Sequence, residues 1–168
     1  LGIMRGLYSN ESGMGSAPIF AAAARSKNPV RQGLISMTGT FWDTVIICPL
    51  TGLVVVSSIL KNSSLFIGLE GGEIPSVAFA QLPYIGLLIL NIGIVLFAFT
   101  TILGWIYYGE KSIEFLFGAS SIKYYRVIFC IAVFFGAIIS LNLVWGFADT
   151  MNALMVLPNI LSLWLLSK

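Results

Sequence analysis

Apolar residues fall into five long blocks, at 2–24, 33–60, 82–106, 124–142 and 144–166, with short polar segments between them. Each block is about 20 residues or longer, enough for an α-helix rising 1.5 Å per residue to cross the roughly 30 Å hydrocarbon core of a bilayer. The pattern predicts an all-α membrane protein with one transmembrane helix per block.

The connectors carry unequal charge. Arg25, Lys27 and Arg31 cluster after the first block, and segment 61–81 holds Lys61, Glu70 and Glu73. Segment 107–123 holds Glu110, Lys111, Glu114 and Lys123, with Arg126 just beyond; Lys168 ends the chain. Lys and Arg mark the cytoplasmic side. Strict alternation then places 25–32, 107–123 and Lys168 inside, and 61–81 and the turn at 142–144 outside. The first block runs from outside to inside, and the fifth ends inside. The Gly-rich outer segment 61–81 is expected to form a short surface helix or a lid. The amphipathic stretch 109–118, GEKSIEFLFG, is expected to lie along the cytoplasmic interface.

The first block breaks its own pattern. Ser9-Asn10-Glu11-Ser12 interrupts it, followed by Gly13, Gly15 and Pro18. Gly costs about 1 kcal/mol and Pro about 3 kcal/mol against Ala in a helix interior. Their concentration beside a polar tetrad predicts a discontinuous helix, which membranes tolerate only where the backbone is buried in protein or lines a watery cavity. Close helix packing through small residues accounts for Gly2, Gly6 and Ala21–Ala24. It does not account for Asn10 and Glu11. At a break, the carbonyls near Tyr8–Asn10 are expected to be free to attract a cation, and the amides near Gly13–Ala17 to attract a carboxylate. Such a site suits a zwitterion with a metal cation beside it. The candidate substrate-binding residues are Tyr8, Ser9, Asn10, Glu11, Gly13, Met14 and Gly15.

Other blocks carry polar residues on one face. Ser36, Thr40, Asp43 and Thr44 follow helical spacing. For Asp43 two readings stand, cation coordination or proton relay on one side and a hydrogen bond to a neighbouring helix on the other. Thr100 and Thr101 offer paired hydroxyl oxygens of the kind a hard cation prefers. Asp149 is a second deep acid, and pairing inside the bundle is its expected role.

Composition narrows the function. The chain of 168 residues is 58% hydrophobic and 10% charged, with a mean hydropathy of +0.96. Soluble domains are about 45–50% apolar and about 25% charged. A net charge of +2 without a basic stripe excludes nucleic acid as a partner. The absence of His removes His-based acid–base catalysis and His metal sites. Cys48 and Cys130 lie within apolar runs and read as small core residues. No nucleophile–base pair or metal cluster supports an enzyme, and no charged ring supports a channel. The chain opens LGIMRGLYSN, without an initiator Met or a charged leader, and reads as a segment of a longer protein.

Residues 5–18, RGLYSNESGMGSAP, closely resemble the RG-[LF]-[FY]-SNEAGMGSAP signature of the alanine/glycine:cation symporters. NPVRQGL at 28–34 is similar to that family's HPV-[RK]-QGL stretch, and FTTILGW with YYGE at 99–110 to its FTT-x-LGW-x-YYGE segment. Ser12, Tyr8 and Asn28 depart from the commoner Ala, Phe and His. The resemblance implies a LeuT-like fold of two inverted five-helix repeats, with this chain as the second repeat and its first helix discontinuous. It implies a multi-pass protein of a bacterial-type plasma membrane that takes up alanine, glycine or a similar amino acid by sodium or proton symport. It further implies a first repeat, without which the chain is not expected to transport. A Thr/Ser pair on the eighth helix of that fold helps hold sodium. Transferred here, the pair is Thr100 and Thr101 with the Phe97 carbonyl, and Ser9 and Asp43 complete the candidate cation set. The partners implied are a small amino acid, sodium and the lipid bilayer, with no further cofactor. A non-transporting remnant of a disrupted symporter gene is the alternative.

Overall fold

The computed structural model describes residues 2–11, 13–26, 28–69 and 71–167. Among these residues the regular structure is all helical, with no strand. The first block is two short helices, α1 (Gly2–Ser9) and α2 (Ala17–Ala22), with non-helical backbone between them. The second is one rod, Pro29–Lys61, assembled from α3 (Pro29–Thr40), a π-helical stretch (Phe41–Ile47) and α4 (Cys48–Lys61). After α5 (Glu73–Ala80) come α6 (Gly86–Phe117), α7 (Ile122–Gly136) and α8 (Leu141–Leu166). Four helical stretches among the described residues, Pro29–Lys61, Gly86–Phe117, Ala119–Gly136 and Leu141–Leu166, are long and apolar enough to cross a membrane. The broken first block contains no helix of that length.

Pro49 explains the π-helical stretch. Proline has no N–H, and inside an α-helix its ring collides with the carbonyl four residues earlier, here that of Val45. Widening the preceding turns relieves the clash, and the Cys48 N–H bonds the Asp43 carbonyl five residues back. Asp43 therefore sits on a widened turn rather than on the regular face its spacing implied.

Two expectations about the connectors meet different fates. Segment 61–81 does contain a short helix, α5. The Ser58 hydroxyl at the end of α4 donates to the buried Ala78 carbonyl on α5 at 3.2 Å. The amphipathic stretch 109–118 is not a separate element as far as Phe117. It continues α6, which at 32 residues is ~48 Å long and exceeds the roughly 30 Å of hydrocarbon. Nothing in GEKSIEFLF stops a helix. Gly118, in left-handed backbone at φ +83°, ends it.

The chain divides into two compact units, residues 1–36 with 103–168, and residues 37–102. In the first unit the end of α6 and the start of α7 form a hairpin through Gly118. Gly109 lies directly against the Tyr125 phenol, where any Cβ would overlap the ring end. One residue on, Glu110 receives two hydrogen bonds from Arg126, at 2.5 and 3.0 Å. In the second unit, α4 packs on α5, and Gly86 opens α6 against the Phe79 carbonyl and Leu82.

Burial is scarce. Among the described residues the buried hydrophobic side chains are Met14 and Ala78, and the buried polar ones Ser16 and Ser58. Cys48 and Cys130, expected in a core, are instead exposed and unpaired. An apolar residue needs no interior when the surrounding medium is lipid.

Candidate functional site

The break in the first block is built from three left-handed residues in five positions. Glu11 has φ +52°, Gly13 +78° and Gly15 +81°. For a glycine this conformation carries no steric penalty, whereas for Glu11 it is strained. The strain is supported by bonds on both sides. The Glu11 N–H reaches the Tyr8 carbonyl at 3.2 Å, and the Glu11 carbonyl accepts from Met14 at 3.4 Å. Its side chain turns back into the break. The Ser16 hydroxyl donates to Oε2 at 2.8 Å, and Tyr108 of α6 lies within electrostatic reach of the same carboxylate. Ser16 is thereby diverted from capping α2, where it makes no side-chain bond.

Asn10 ends α1. Its backbone N–H and its side-chain amide both bond the Gly6 carbonyl, at 3.2 and 3.1 Å. Both bonds fix the backbone where α1 stops. The Tyr8 carbonyl, expected to be free for a cation, accepts from Glu11 instead. The expectation that a carboxylate is attracted to the start of α2 also changes in kind. With six residues, α2 has little macrodipole; Pro18 has no N–H and the Ile19 N–H is bonded to the Ser16 carbonyl at 2.9 Å, so any attraction lies in N–H groups that precede Pro18. Ser9, exposed, closes α1.

Met14, Gly15 and Ser16 form one wall of a cleft of about 400 Å³. Trp105, Tyr108 and Ser112 of α6 face them, Tyr125 and Phe129 of α7 lie to one side, and Met155 and Pro158 of α8 close the other. Met14 and Ser16 are the most buried side chains of the unit, at 3% and 1% exposure, so its tightest packing is at the break. The Phe20 ring stands edge-on to Tyr107 and Tyr108 at 5.6 and 6.2 Å and fixes α2 to α6.

Helix α8 is tied to the first block at two points. Arg5 of α1 pairs with Asp149, and its guanidinium lies 3.8 Å from the centre of the Trp145 ring. The Asn159 side-chain amide donates to the Gly13 carbonyl at 2.9 Å. The two ties run in the same order along both segments, so α8 is parallel to the first block, the relative direction that the charge pattern implies. The expected pairing role of Asp149 is thus filled by Arg5. Sequence reading placed Arg5 only inside a motif and overlooked Ser16 and Tyr108. A cation near one end of an apolar block, facing an acid in another, was the available signal for Arg5. Nothing local marked Tyr108.

Asp43, Phe97, Thr100 and Thr101 belong to the unit 37–102. Within it, the Thr100 hydroxyl donates to the Leu96 and Phe97 carbonyls at 2.9 and 3.1 Å. Backbone bonding of this kind is common for Thr in membrane helices. It leaves the lone pairs of the hydroxyl oxygen open, beside a second oxygen from Phe97.

A family model described as the sodium:alanine symporter family matches residues 1–168. The chain belongs to the sodium:alanine symporter family. This symporter-family chain is 49% identical to the sodium/alanine symporter AgcS of Methanococcus maripaludis, over 99% of its own length and 37% of the relative. It is 37% identical to the probable sodium/glutamine symporter GlnT of Bacillus subtilis, over 99% of its length and 35% of the relative. It is 36% identical to the amino-acid carrier protein AlsT of Bacillus subtilis, over its full length and 36% of the relative. The chain thus spans a little over a third of the length of these curated relatives. No solved structure gives a significant match. Symporter-family membership, with four membrane-length helices, makes this a multi-pass plasma-membrane protein and not an enzyme.

Proposed function

We propose that this chain supplies the second half of the transport site of a symporter that moves small neutral amino acids, alanine or glycine, together with sodium. The observation that carries the reading is the helix break between Ser9 and Ala17, with Glu11 held in left-handed backbone at its centre. The LeuT-like arrangement, with a first inverted repeat completing the site, belongs to the same proposal.

In this reading the substrate carboxylate meets the amides that open α2, and its ammonium group turns toward the carbonyl end of α1, with Ser9 beside it. Gly13 and Gly15 let the ligand approach the backbone, and the Met14 side wall limits its size. Asn10 and Glu11 act by holding the break in shape. Sodium is bound by oxygens alone. Thr100, Thr101 and the Phe97 carbonyl would hold it, with Asp43 as a further candidate ligand.

Uptake by the full-length protein in proteoliposomes tests the proposal. Labelled alanine and glycine should accumulate under an inward sodium gradient and compete with each other, with glutamine a weak competitor. Accumulation under a proton gradient alone would replace the coupling ion. Accumulation of glutamine in preference to alanine would replace the substrate, and no amino-acid uptake under either gradient would overturn the reading.

A further inference from the structure

A second polar cleft of the first unit lies between the end of α2 and the first turns of α3. It encloses about 260 Å³ and is lined by Arg25, Ser26, Arg31 and Gln32, with Ala24 and Ile35 as its apolar side. The turn that brings the two arginines to one cleft is held by Asn28. Its Oδ1 accepts from the Val30 N–H at 2.9 Å, and its carbonyl accepts from the Ser26 hydroxyl at 3.1 Å. Neither guanidinium is ion-paired with a described residue; the three ion pairs among those residues use Arg5, Lys111 and Arg126.

Orientation of the chain in the membrane accounts for basic residues at this end of the helices. It requires only that they lie on that side, not that two of them share a concave site. Guanidinium forks match the oxygens of a phosphate two at a time. On α3, Val30 next to Arg31 and Leu34 one turn further on are 69% and 57% exposed and offer apolar surface to lipid. A head that prefers phosphate and a flank that prefers hydrocarbon together match one kind of molecule.

We propose that this cleft binds the phosphate of an anionic phospholipid from the cytoplasmic leaflet, gripped by Arg25 and Arg31, with its acyl chains along Val30 and Leu34. The basic end of the helices faces the leaflet surface where anionic lipids concentrate. The site shares no lining residue with the cleft at the helix break and does not depend on what is transported.

The test uses the full-length protein in nanodiscs of phosphatidylcholine containing a minor fraction of phosphatidylglycerol, with retained lipid read by native mass spectrometry. The wild type should retain phosphatidylglycerol over phosphatidylcholine, and millimolar inorganic phosphate should not displace it. Arg25→Gln with Arg31→Gln should weaken retention by about tenfold or more, given what each basic residue contributes at an anionic surface. Arg25→Lys with Arg31→Lys keeps the charges that orient the chain but loses the fork geometry, and should weaken retention by a smaller factor. Equal retention of the two lipids by the wild type, or undiminished retention by the Gln double variant, would overturn the proposal. So would displacement by inorganic phosphate, which would make the cleft a free-anion site.

Discussion

Arg5 and Asp149, 144 positions apart in the chain, meet in a two-point ion pair, Nη1 to Oδ1 at 2.9 Å and Nη2 to Oδ2 at 3.4 Å. The Trp145 ring, one turn before Asp149 on α8, stacks on the same guanidinium. The first half of the broken helix is therefore attached to α8 through one side chain, and the break itself through Asn159. A break in a free-standing helix would fray. Held by α8 at Arg5 and at Gly13, it keeps a defined shape.

The pair should show measurable coupling. Its side chains are 37% and 33% exposed in this chain, so the value expected is that of interhelical polar contacts in membrane proteins rather than of a fully buried pair. Arg5→Gln and Asp149→Asn, made singly and together in the full-length protein, should reveal a coupling of about 0.6–1.7 kcal/mol in thermal stability. Arg5→Lys should lose part of it, because Lys has no fork and stacks less well on Trp145. Additive single-variant effects would show that the two side chains do not act together.

Gly13 and Gly15 have nearly the same backbone conformation but different surroundings. Alanine in left-handed backbone costs about 1–2 kcal/mol at either position. At Gly13 an added Cβ meets nothing within 4 Å, whereas at Gly15 it would lie 3.1 Å from the Asn159 side-chain oxygen. That side chain is the one bonded to the Gly13 carbonyl. Gly15→Ala should therefore push Asn159 away and break the tie to α8, while Gly13→Ala adds backbone strain alone. Uptake at matched expression should fall further in Gly15→Ala. Equal losses would mean that the Asn159 contact does not matter to transport.

Glu11 takes its hydrogen bonds from its own chain. A carboxylate at membrane depth needs a partner, and the Ser16 hydroxyl of the same chain provides one, with Tyr108 near it. Hydrogen bonds to a charged group contribute about 1.5–3 kcal/mol each. Ser16→Ala should lower thermal stability by an amount in that range, and Tyr108→Phe by less. Glu11→Gln keeps the shape, removes the charge and should sharply reduce uptake at near-normal expression. If Glu11→Gln transports like the wild type, the hydroxyl contacts hold the break without needing the charge.

The position of the break was legible because composition overrides helix propensity there. Two glycines and a proline beside four polar residues cannot continue a buried helix. The identity of its supports was not legible. Tyr108 lies 97 residues after Glu11 in the chain, and no periodicity links them. Asp43 shows the same limit on a local scale. Helical spacing placed it on a regular polar face with Ser36 and Thr40, but Pro49, six residues further on, widens the turn and changes that face. The extent of α6 was misjudged for a third reason. Charge and amphipathicity in 109–118 report where the bilayer ends, whereas the helix ends only where Gly118 turns the backbone.

Thr100 tests the proposed cation site most directly. Its proton is already committed to the Leu96 and Phe97 carbonyls, which orients the hydroxyl oxygen without occupying its lone pairs. If that oxygen ligates sodium, removing it should affect the ion before the substrate. Thr100→Ala with Thr101→Ala in the full-length protein should raise the sodium concentration for half-maximal alanine uptake by about tenfold or more, the equivalent of about 1.4 kcal/mol. At saturating sodium, the apparent affinity for alanine should return toward the wild-type value. Thr100→Ser restores the hydroxyl and should restore most of the sodium affinity. A merely structural role for the backbone bond predicts a different pattern, in which Thr100→Ala changes stability and leaves sodium dependence alone. Unchanged sodium dependence in a well-expressed double variant would remove both threonines from the cation site and leave Asp43 as the residue to test next.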